Sequence, residues 1–410
     1  MFLNENNVVC DIMGIHMIIN TENGAVVGVD NDGLEQYQRL SEGTMPVLMD
    51  QELYRFLVEN EFISDSPFDK KRATIMTAYI HVTNKCNLHC LGCYSDNEAR
   101  NKEDDLSTEE MMRILDELRS VGVENLVISG GEPLFRKDIV DLVKHAKENC
   151  GIERITLITN GTVGDRKIYD DFAPYLDTIA VSLDTYASEC HAYLRDEGIF
   201  DKIVSHIKQM QKSGLKVSIL PTLHHKNAER MLDYIELSKQ LGVEISFSIF
   251  STRQEKMYEG YTLSNKDLKY ISEHFANYNI DDVPINNTLE GKMHCGTGCN
   301  IISVGTDGSV YPCHMLMEEQ FEMGNLAEKG IAEILKGSKC QKRCWEKDVK
   351  DIAGCRNCEF KYLCGGGCRA RAYLKHGSIQ MPDPFCSMYK EFYRETFSKM
   401  LENVKRLLYG

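Results

Sequence analysis

The sequence predicts an α/β fold in which a parallel sheet, open or curled into part of a barrel, carries a smaller region at each end. From Thr77 onward, six short apolar runs alternate with amphipathic segments, as strands do when helical crossovers join them. Residues 1–72 lack this alternation, and residues 291–410 are rich in cysteine and glycine. We therefore expect three domains, at 1–72, 73–290 and 291–410.

The predicted strands of the sheet are short and apolar. They lie at 78–82, 125–129, 154–159, 178–183, 216–220 and 244–250. The segments between them have helical periodicity. The predicted helices lie at 108–121, 137–148, 200–213 and 228–241. Because such sheets bind ligands at the carboxyl ends of their strands, we expect functional residues there.

The sequence of the N-terminal region predicts a small α+β module. Apolar runs at 15–19 and 25–29 flank Asn23-Gly24, and Asn-Gly between apolar runs is a hairpin signal. Two helical patterns follow, near 34–40 and 52–61.

Charge and hydropathy exclude several classes of protein. The net charge of −15 argues against nucleic acid as a partner, because affinity for phosphates comes largely from Lys and Arg. No run of about 18 apolar residues occurs, so we predict no membrane span. Residues 1–14 show no secretory pattern, so we expect a cytoplasmic protein.

Sixteen cysteines are unusual for a cytoplasmic protein of 410 residues. Eleven of them are grouped in two regions of the chain. In a reducing compartment, grouped cysteines are typical of metal sites and not of disulfides.

Cys86, Cys90 and Cys93 directly follow the first predicted strand. Three thiolates on one loop hold three irons of a four-iron cluster and leave the fourth iron open for a ligand. The alternative is a zinc site completed by a remote ligand such as His89.

The spacing Cys-x3-Cys-x2-Cys after the first strand resembles the signature of the radical S-adenosylmethionine (SAM) superfamily. The resemblance implies a partial (β/α)6 TIM-type barrel, an open [4Fe–4S] cluster that chelates SAM, and cleavage of SAM to a 5′-deoxyadenosyl radical. Gly92 stands where the family usually has an aromatic residue. We expect this departure to cost a contact on the adenine side and not the reaction.

Three later segments resemble SAM-binding motifs of the same family. Gly-Gly-Glu-Pro follows the second predicted strand and resembles the motif for the SAM amino group, and Thr-Asn-Gly ends the third strand. Two polar residues, at the end of the fourth strand and in the loop after it, resemble contacts to the SAM ribose and carboxylate. The resemblance thus assigns SAM binding to Gly92, Gly130, Gly131, Glu132, Asn160, Ser182 and Arg195.

Eight cysteines after residue 290 provide enough thiolates for two four-iron clusters with every iron ligated. Their spacing resembles the SPASM domain, which extends many radical SAM enzymes that act on peptides. The resemblance assigns Cys295, Cys299, Cys313 and Cys368 to the nearer auxiliary cluster. It assigns Cys355, Cys358, Cys364 and Cys386 to the distal one. The alternative is a pair of structural zinc sites. Cys340 and Cys344 are predicted to be unligated thiols.

The predicted cofactors are therefore SAM and three [4Fe–4S] clusters, and the resemblance implies a precursor peptide as substrate and an electron donor such as a flavodoxin or ferredoxin. Residues 1–72 resemble, in shortened form, the element with which maturases hold a leader peptide by strand addition. The alternative is a lid or packing domain.

The segment Tyr311-Pro-Cys-His314, with the later Phe-Glu-Met-Gly-Asn, resembles peptide thioether maturases. Sulfatase-maturing enzymes carry an acidic residue where this chain has His314. We therefore predict a radical SAM peptide maturase that forms a thioether crosslink from a cysteine sulfur to carbon, with a sulfatase-maturing enzyme as the alternative. A non-catalytic iron–sulfur carrier would need neither an open cluster nor the Gly-Gly-Glu-Pro segment.

Overall fold

The structure is a computed structural model that describes residues 1–43, 50–68, 75–95, 100–102, 105–252, 259–277, 289–339 and 348–409. Cys340 and Cys344, which were predicted to be unligated, lie outside these residues. None of the helices that the structure describes is both long enough and apolar enough to cross a bilayer.

The N-terminal module is a small sheet covered by helices. The short strands β1 (Phe2–Leu3) and β5 (Ile63–Ser64) pair with each other, and β2 (Asn7–Ile12), β3 (Ile15–Asn20) and β4 (Val26–Val29) form an antiparallel sheet. Helices Asn31–Ser41 and Gln51–Glu59 follow β4. The predicted hairpin between β3 and β4 is confirmed. Strand β2 was not predicted, because two adjacent valines and Cys-Asp disrupt its alternation.

The two faces of β3 pack against different parts of the chain, because side chains alternate across a strand. Ile18 lies in an apolar cluster with Leu57 of the module's second helix. Met17 and Ile19 lie in another cluster with Phe360 of the C-terminal region. The N-terminal module is therefore anchored on the cysteine-rich region.

In the described part of the chain, six parallel strands form one side of a nine-stranded sheet, up to its edge. They are β6 (Thr77–His81), β7 (Asn125–Ser129), β8 (Arg154–Thr159), β9 (Thr178–Val181), β10 (Val217–Ile219) and β12 (Glu244–Ile245). Their spatial order is β12-β10-β9-β8-β7-β6. The predicted parallel sheet is confirmed, and two strands have the predicted bounds.

The predicted strands at 216–220 and 244–250 are both interrupted in the structure. β11 (Thr222–Leu223) continues the path of β10, and β13 (Ser248–Ile249) pairs with β11 as a separate two-stranded sheet. Pro221 lies at the break and has no N–H to donate to a neighbouring strand. Its carbonyl accepts a hydrogen bond from Ser248 N at 3.0 Å, which extends the pairing of β11 and β13 to the break.

Helices lie between the barrel strands and bury their apolar faces against the sheet. They span Thr108–Ser120, Ile139–Lys144, Arg166–Phe172, Phe200–Lys212, Met231–Leu241 and Asn265–Asn277. A π-helical turn at His145–Asn149 continues the second of these helices. The first begins with a capping box between Ser107 and Glu110, which satisfies amides at its N-terminus.

The C-terminal region extends the barrel sheet and then turns irregular. β14 (Ile301–Val304) pairs in parallel with β6, and β15 (Ser309–Tyr311) and β16 (Gly324–Asn325) add antiparallel strands. Helices then span Ile331–Gly337, Lys361–Cys364, Arg369–His376 and Cys386–Tyr409.

Candidate functional site

The loop with Cys86, Cys90 and Cys93 lies at the carboxyl end of β6. A different polar side chain approaches each sulfur: Asn160 Nδ2 lies 3.9 Å from Cys86 Sγ, Arg195 Nη1 lies 3.4 Å from Cys90 Sγ, and Arg100 Nη2 lies 3.7 Å from Cys93 Sγ. Donors around sulfur stabilise thiolate and tune a bound cluster. The loop is therefore suited to hold a cluster.

The glycines of Gly-Gly-Glu-Pro allow β7 to end against the cysteine loop. A Cβ on Gly130 would overlap the carbonyl oxygen of Thr83, and one on Gly131 would overlap that of Lys85. The close approach permits two backbone hydrogen bonds, from Gly131 N to Thr83 O at 2.7 Å and from Glu132 N to Lys85 O at 2.8 Å. The segment thus supports the position of the cysteine loop.

Glu132 is completely buried and joins the ends of β7 and β8. Its carboxylate accepts hydrogen bonds from Thr159 Oγ1 at 2.8 Å, Asn160 N at 2.7 Å and Leu134 N at 3.1 Å. Burial raises the pKa of Glu132 to about 6, and the hydrogen bonds oppose that rise. The three hydrogen bonds therefore tie the Gly-Gly-Glu-Pro segment to the end of β8 beside the cysteine loop.

Arg195 is held by a residue to which sequence reasoning gave no role. Its guanidinium Nε lies 2.7 Å from Asp184 Oδ2, and the Asp184 side chain is almost fully buried. Asp184 Oδ1 also accepts a hydrogen bond from Thr222 N at 2.9 Å. The available signal was its position three residues after the end of β9, at the carboxyl end of the barrel strands. Asp184 therefore fixes Arg195 beside Cys90.

The other predicted SAM-binding residues lie around the same loop. Ser182 follows β9 and donates its backbone N–H to Thr159 O at 2.9 Å, and Asn160 Nδ2 donates to Asn87 Oδ1 at 2.9 Å. Gly92 lies against the ring of Phe250, which comes directly after β13. The structure thus brings the predicted SAM-binding residues together at one end of the barrel.

Four cysteines of the C-terminal region converge on one cavity. They are Cys355, Cys358, Cys364 and Cys386, which come from three separate segments. Burial raises the pKa of the Cys364 thiol to about 12, and the neighbouring Cys386, Cys355 and Cys358 add to the rise. Because a buried thiol such as Cys364 ionises poorly without a nearby cation, the donor set of four cysteines fits a metal centre that replaces the thiol protons.

The other four cysteines influence one another in a second group. Burial raises the pKa of Cys313 to about 12, and the neighbouring Cys368 and Cys295 add to that rise. Burial also raises the pKa of Cys299, again with Cys295 as the charged neighbour. This group has the same membership as the predicted nearer set, and its thiols also fit a bound metal cluster.

Three consecutive glycines separate the two cysteine groups. Gly365, Gly366 and Gly367 all have positive φ, between +60° and +84°, which residues with a side chain rarely adopt. The turn directs Cys364 into the cavity, and Cys368 caps the following helix, where its sulfur accepts from Arg371 N at 3.5 Å. The Gly-Gly-Gly segment therefore lets neighbouring cysteines serve different groups.

Comparison with protein families gives two matches. The model of the radical SAM superfamily matches residues 80–238, which include the cysteine loop and most of the barrel. The model of the SPASM iron–sulfur cluster-binding domain matches residues 295–359, which include five of the eight cysteines predicted to ligate the auxiliary clusters.

Two curated relatives illustrate the range of similar proteins. The AdoMet-dependent heme synthase of Methanosarcina barkeri is 27% identical over 74% of this chain and 94% of its own. The mycofactocin maturase MftC of Mycolicibacterium smegmatis is 24% identical over 74% of this chain and 81% of its own.

Two solved structures share the fold. The anSMEcpe structure with bound AdoMet has a TM-score of 0.68 and 21% identity, and the match covers 81% of this chain and 100% of that one. Streptococcus suis SuiB bound to the precursor peptide SuiA has a TM-score of 0.64 and 18% identity, with 94% and 99% covered. The chain thus belongs to the radical SAM superfamily and carries a SPASM domain, and it is an enzyme whose cofactors are SAM and multiple [4Fe–4S] clusters.

Proposed function

We propose that this enzyme is a peptide maturase that crosslinks a ribosomally made precursor through a thioether between a cysteine sulfur and carbon. The observation that carries the proposal is the N-terminal module, a small sheet packed against the SPASM domain. The match to SuiB bound to its precursor peptide covers 94% of this chain, whereas the match to anSMEcpe covers 81%.

The sheet of the N-terminal module has two edges at which a peptide strand could add. β2 and β4 each pair only with β3 in the described part of the chain. The register directs the backbone amides of Val26 and Gly28 away from β3 on one edge, and those of Val9 and Asp11 on the other. An extended leader peptide would gain main-chain hydrogen bonds at either edge. We propose residues 1–72 as the leader-binding domain.

The cysteine sets take the roles that the family resemblance implied. Cys86, Cys90 and Cys93 would hold the cluster that chelates SAM, and the two groups of four would hold the auxiliary clusters, which makes three clusters in all. Glu132, Arg195 and their neighbours would bind SAM. An electron donor of the flavodoxin or ferredoxin class would supply the electron for SAM cleavage.

His314 lies between the cysteine loop and the nearer group. Its imidazole stacks on Tyr79 with ring centroids 4.2 Å apart and meets the edge of Tyr94, the residue after Cys93, at 5.7 Å. Burial lowers the pKa of His314 to about 4, so the ring is neutral at physiological pH. A sulfatase-maturing enzyme would carry an acid here, so His314 favours the crosslinking reaction.

The proposed reaction joins a peptide carbon to a cysteine sulfur with the loss of two hydrogens. When bound, SAM and its cluster supply a 5′-deoxyadenosyl radical, which is reactive enough to attack unactivated carbon. The radical takes one hydrogen atom from a peptide carbon and becomes 5′-deoxyadenosine. Formation of the carbon–sulfur bond releases the thiol proton to solvent and one electron to a one-electron acceptor. The task of the barrel residues is to place the peptide and exclude water.

A tetrapyrrole substrate is the second candidate. Two relatives from Methanosarcina barkeri have names that refer to tetrapyrroles, the AdoMet-dependent heme synthase and the Fe-coproporphyrin III synthase. They are 27% and 26% identical to this chain. Each covers less than four fifths of this chain, which leaves room for the N-terminal module outside the matched region.

The experiment is anaerobic reaction of the reduced enzyme with SAM and with each short peptide that an open reading frame next to its gene encodes. We expect the product to lose two hydrogens, about 2 Da, with no sulfur added. Prior alkylation of the peptide's cysteines should prevent the crosslink. A crosslink that still forms would exclude a thioether, and an aldehyde at serine or cysteine would indicate sulfatase-type chemistry. Turnover of an iron-coproporphyrin and not of the peptide would favour the second candidate.

A further inference from the structure

A buried cation without a carboxylate partner lies beside the distal cysteine group. Arg369 is 8% exposed and is the first residue of helix Arg369–His376. Its guanidinium donates only to backbone carbonyls, those of Gly366, Gly367, Ile379 and Met381, with distances of 2.8 Å and 2.9 Å to the last two. Among the residues that the structure describes, no carboxylate lies within 4.0 Å of it.

Arg371, two residues later, is a contrasting case on the same helix. It is also buried, but its guanidinium forms an ion pair with Asp383, at 2.7 Å from Nη2 to Oδ2, and donates to Tyr389 OH at 2.5 Å. Asp383 Oδ2 also accepts from Cys368 N at 2.6 Å. The charge of Arg371 is therefore largely cancelled locally, whereas that of Arg369 is not.

A guanidinium removed from water without an anion is costly, because carbonyl dipoles compensate only part of its charge. The Arg369 guanidinium lies against the wall of the distal cavity, because it donates to the carbonyl of Gly366, which lines that cavity together with the four distal cysteines. Lys361 and Lys390 line the same cavity, and so does Asp383, whose carboxylate is paired with Arg371. The distal group therefore has positive charge beside it that Asp383 does not cancel.

We propose that Arg369 is the counter-charge of the distal auxiliary cluster and raises its reduction potential. A [4Fe–4S] centre with four thiolates is an anion, and it gains one further negative charge on reduction, so a fixed cation beside it stabilises the reduced form. The nearer group has Arg371, whose charge Asp383 offsets. The proposal rests on the assignment of the distal cysteines, and the test below examines that assignment separately.

The test uses the full chain in which Cys86, Cys90 and Cys93 are replaced by Ala, so that only the auxiliary clusters contribute. Into this background we place Arg369→Met, the charge-retaining Arg369→Lys, and Lys375→Met, which removes an exposed cation from the same helix. Redox titration followed by electron paramagnetic resonance measures both reduction potentials. Iron analysis counts the clusters, with about eight irons expected in the background protein.

We expect one of the two reduction waves to move to lower potential in Arg369→Met and to stay near its original position in Arg369→Lys and Lys375→Met. Loss of about four irons in Arg369→Met, with full iron content in Arg369→Lys, would also support the proposal. That pair of results would show that the cluster needs the positive charge at this position. Unchanged potentials with full iron in Arg369→Met would overturn it, as would equal cluster loss in the methionine and lysine variants, which would indicate a packing role. A background protein with well under eight irons would instead refute the auxiliary-cluster assignment, and the proposal with it.

Discussion

The ring of Phe250 occupies the space that a side chain on Gly92 would need. A Cβ built on Gly92 would lie 2.5 Å from Phe250 Cε2, and the φ of Gly92 is +64°. Gly92 stands between Cys90 and Cys93, where relatives usually have an aromatic residue. We expected the glycine to cost a contact on the adenine side, but the structure places the aromatic ring that follows β13 against this position.

Gly92→Ala should therefore disturb the cysteine loop. The left-handed backbone costs a residue with a side chain about 1–2 kcal/mol, and the overlap with Phe250 adds to that cost. We expect iron content and deoxyadenosine formation both to fall. Phe250→Ala in the same protein should restore part of the loss, because it removes the overlap and not the backbone strain. Full activity of Gly92→Ala alone would contradict this account of the loop.

Asp184→Asn should weaken SAM binding through Arg195. The substitution keeps the acceptor for Thr222 N and removes the charge that holds the guanidinium. Leaving a largely buried cation without its partner costs about 3 kcal/mol. Isothermal titration with SAM should show at least a tenfold loss of affinity. Glu197→Gln, which breaks the exposed pair with His191 in the same loop, is the control and should bind SAM normally. Equal effects of both variants would argue against the special role of Asp184.

Glu132 should make the stability of the protein depend on pH near neutrality. Burial raises its pKa to about 6, above the unfolded value of 4.5. Its contribution to stability is thus fully present below the unfolded pKa and is lost as pH rises through about 6. Relative to Glu132→Gln, the wild type should lose about 2 kcal/mol between about pH 4.5 and pH 7.5. Thermal unfolding of both proteins at the two pH values measures this. A constant difference between them would show that Glu132 does not titrate in this range.

The strands of the barrel were predictable because they are short apolar runs between amphipathic segments. Strands β7 and β8 coincide with the predicted bounds, since both faces of a parallel sheet are covered and the strands read as apolar runs. The break at Pro221 was not predicted, although proline is a known interruption of a sheet. The antiparallel pairing of β15 and β16 beyond β14 depends on contacts between distant segments, which periodicity does not contain.

The residues of the candidate site were predictable where they belong to a motif with a fixed spacing. They were not predictable where their role depends on burial in the folded chain. Cysteine spacing identified the loop at Cys86, and the family resemblance assigned to one group the four cysteines that share a cavity in the structure. Asp184 and Arg369 were not identified, because a charged residue in a sequence gives no sign that it is buried. Phe250 was not identified either, since its contact with Gly92 joins residues that lie far apart in the chain.

Proline substitutions on the sheet edges test the leader-binding proposal. Val9→Pro on β2 and Gly28→Pro on β4 each remove an outward-directed N–H, and we expect one of them to reduce precursor binding at least tenfold. Fluorescence anisotropy with the labelled precursor measures the affinity. Val9→Ala and Gly28→Ala keep the N–H and are the matched controls. SAM cleavage without peptide should be unchanged, since the N-terminal module packs on the SPASM domain. Normal binding by both proline variants would rule out strand addition in this module.

Isotope transfer tests the central claim, that the enzyme takes hydrogen from a peptide, most directly. The reduced enzyme is incubated with SAM and a precursor peptide deuterated at carbon, and the 5′-deoxyadenosine formed is analysed by mass spectrometry. We predict deuterium in 5′-deoxyadenosine, together with a crosslinked peptide formed in equal amount. Deoxyadenosine that forms without deuterium, while the peptide stays unmodified, would contradict the assignment of a peptide substrate.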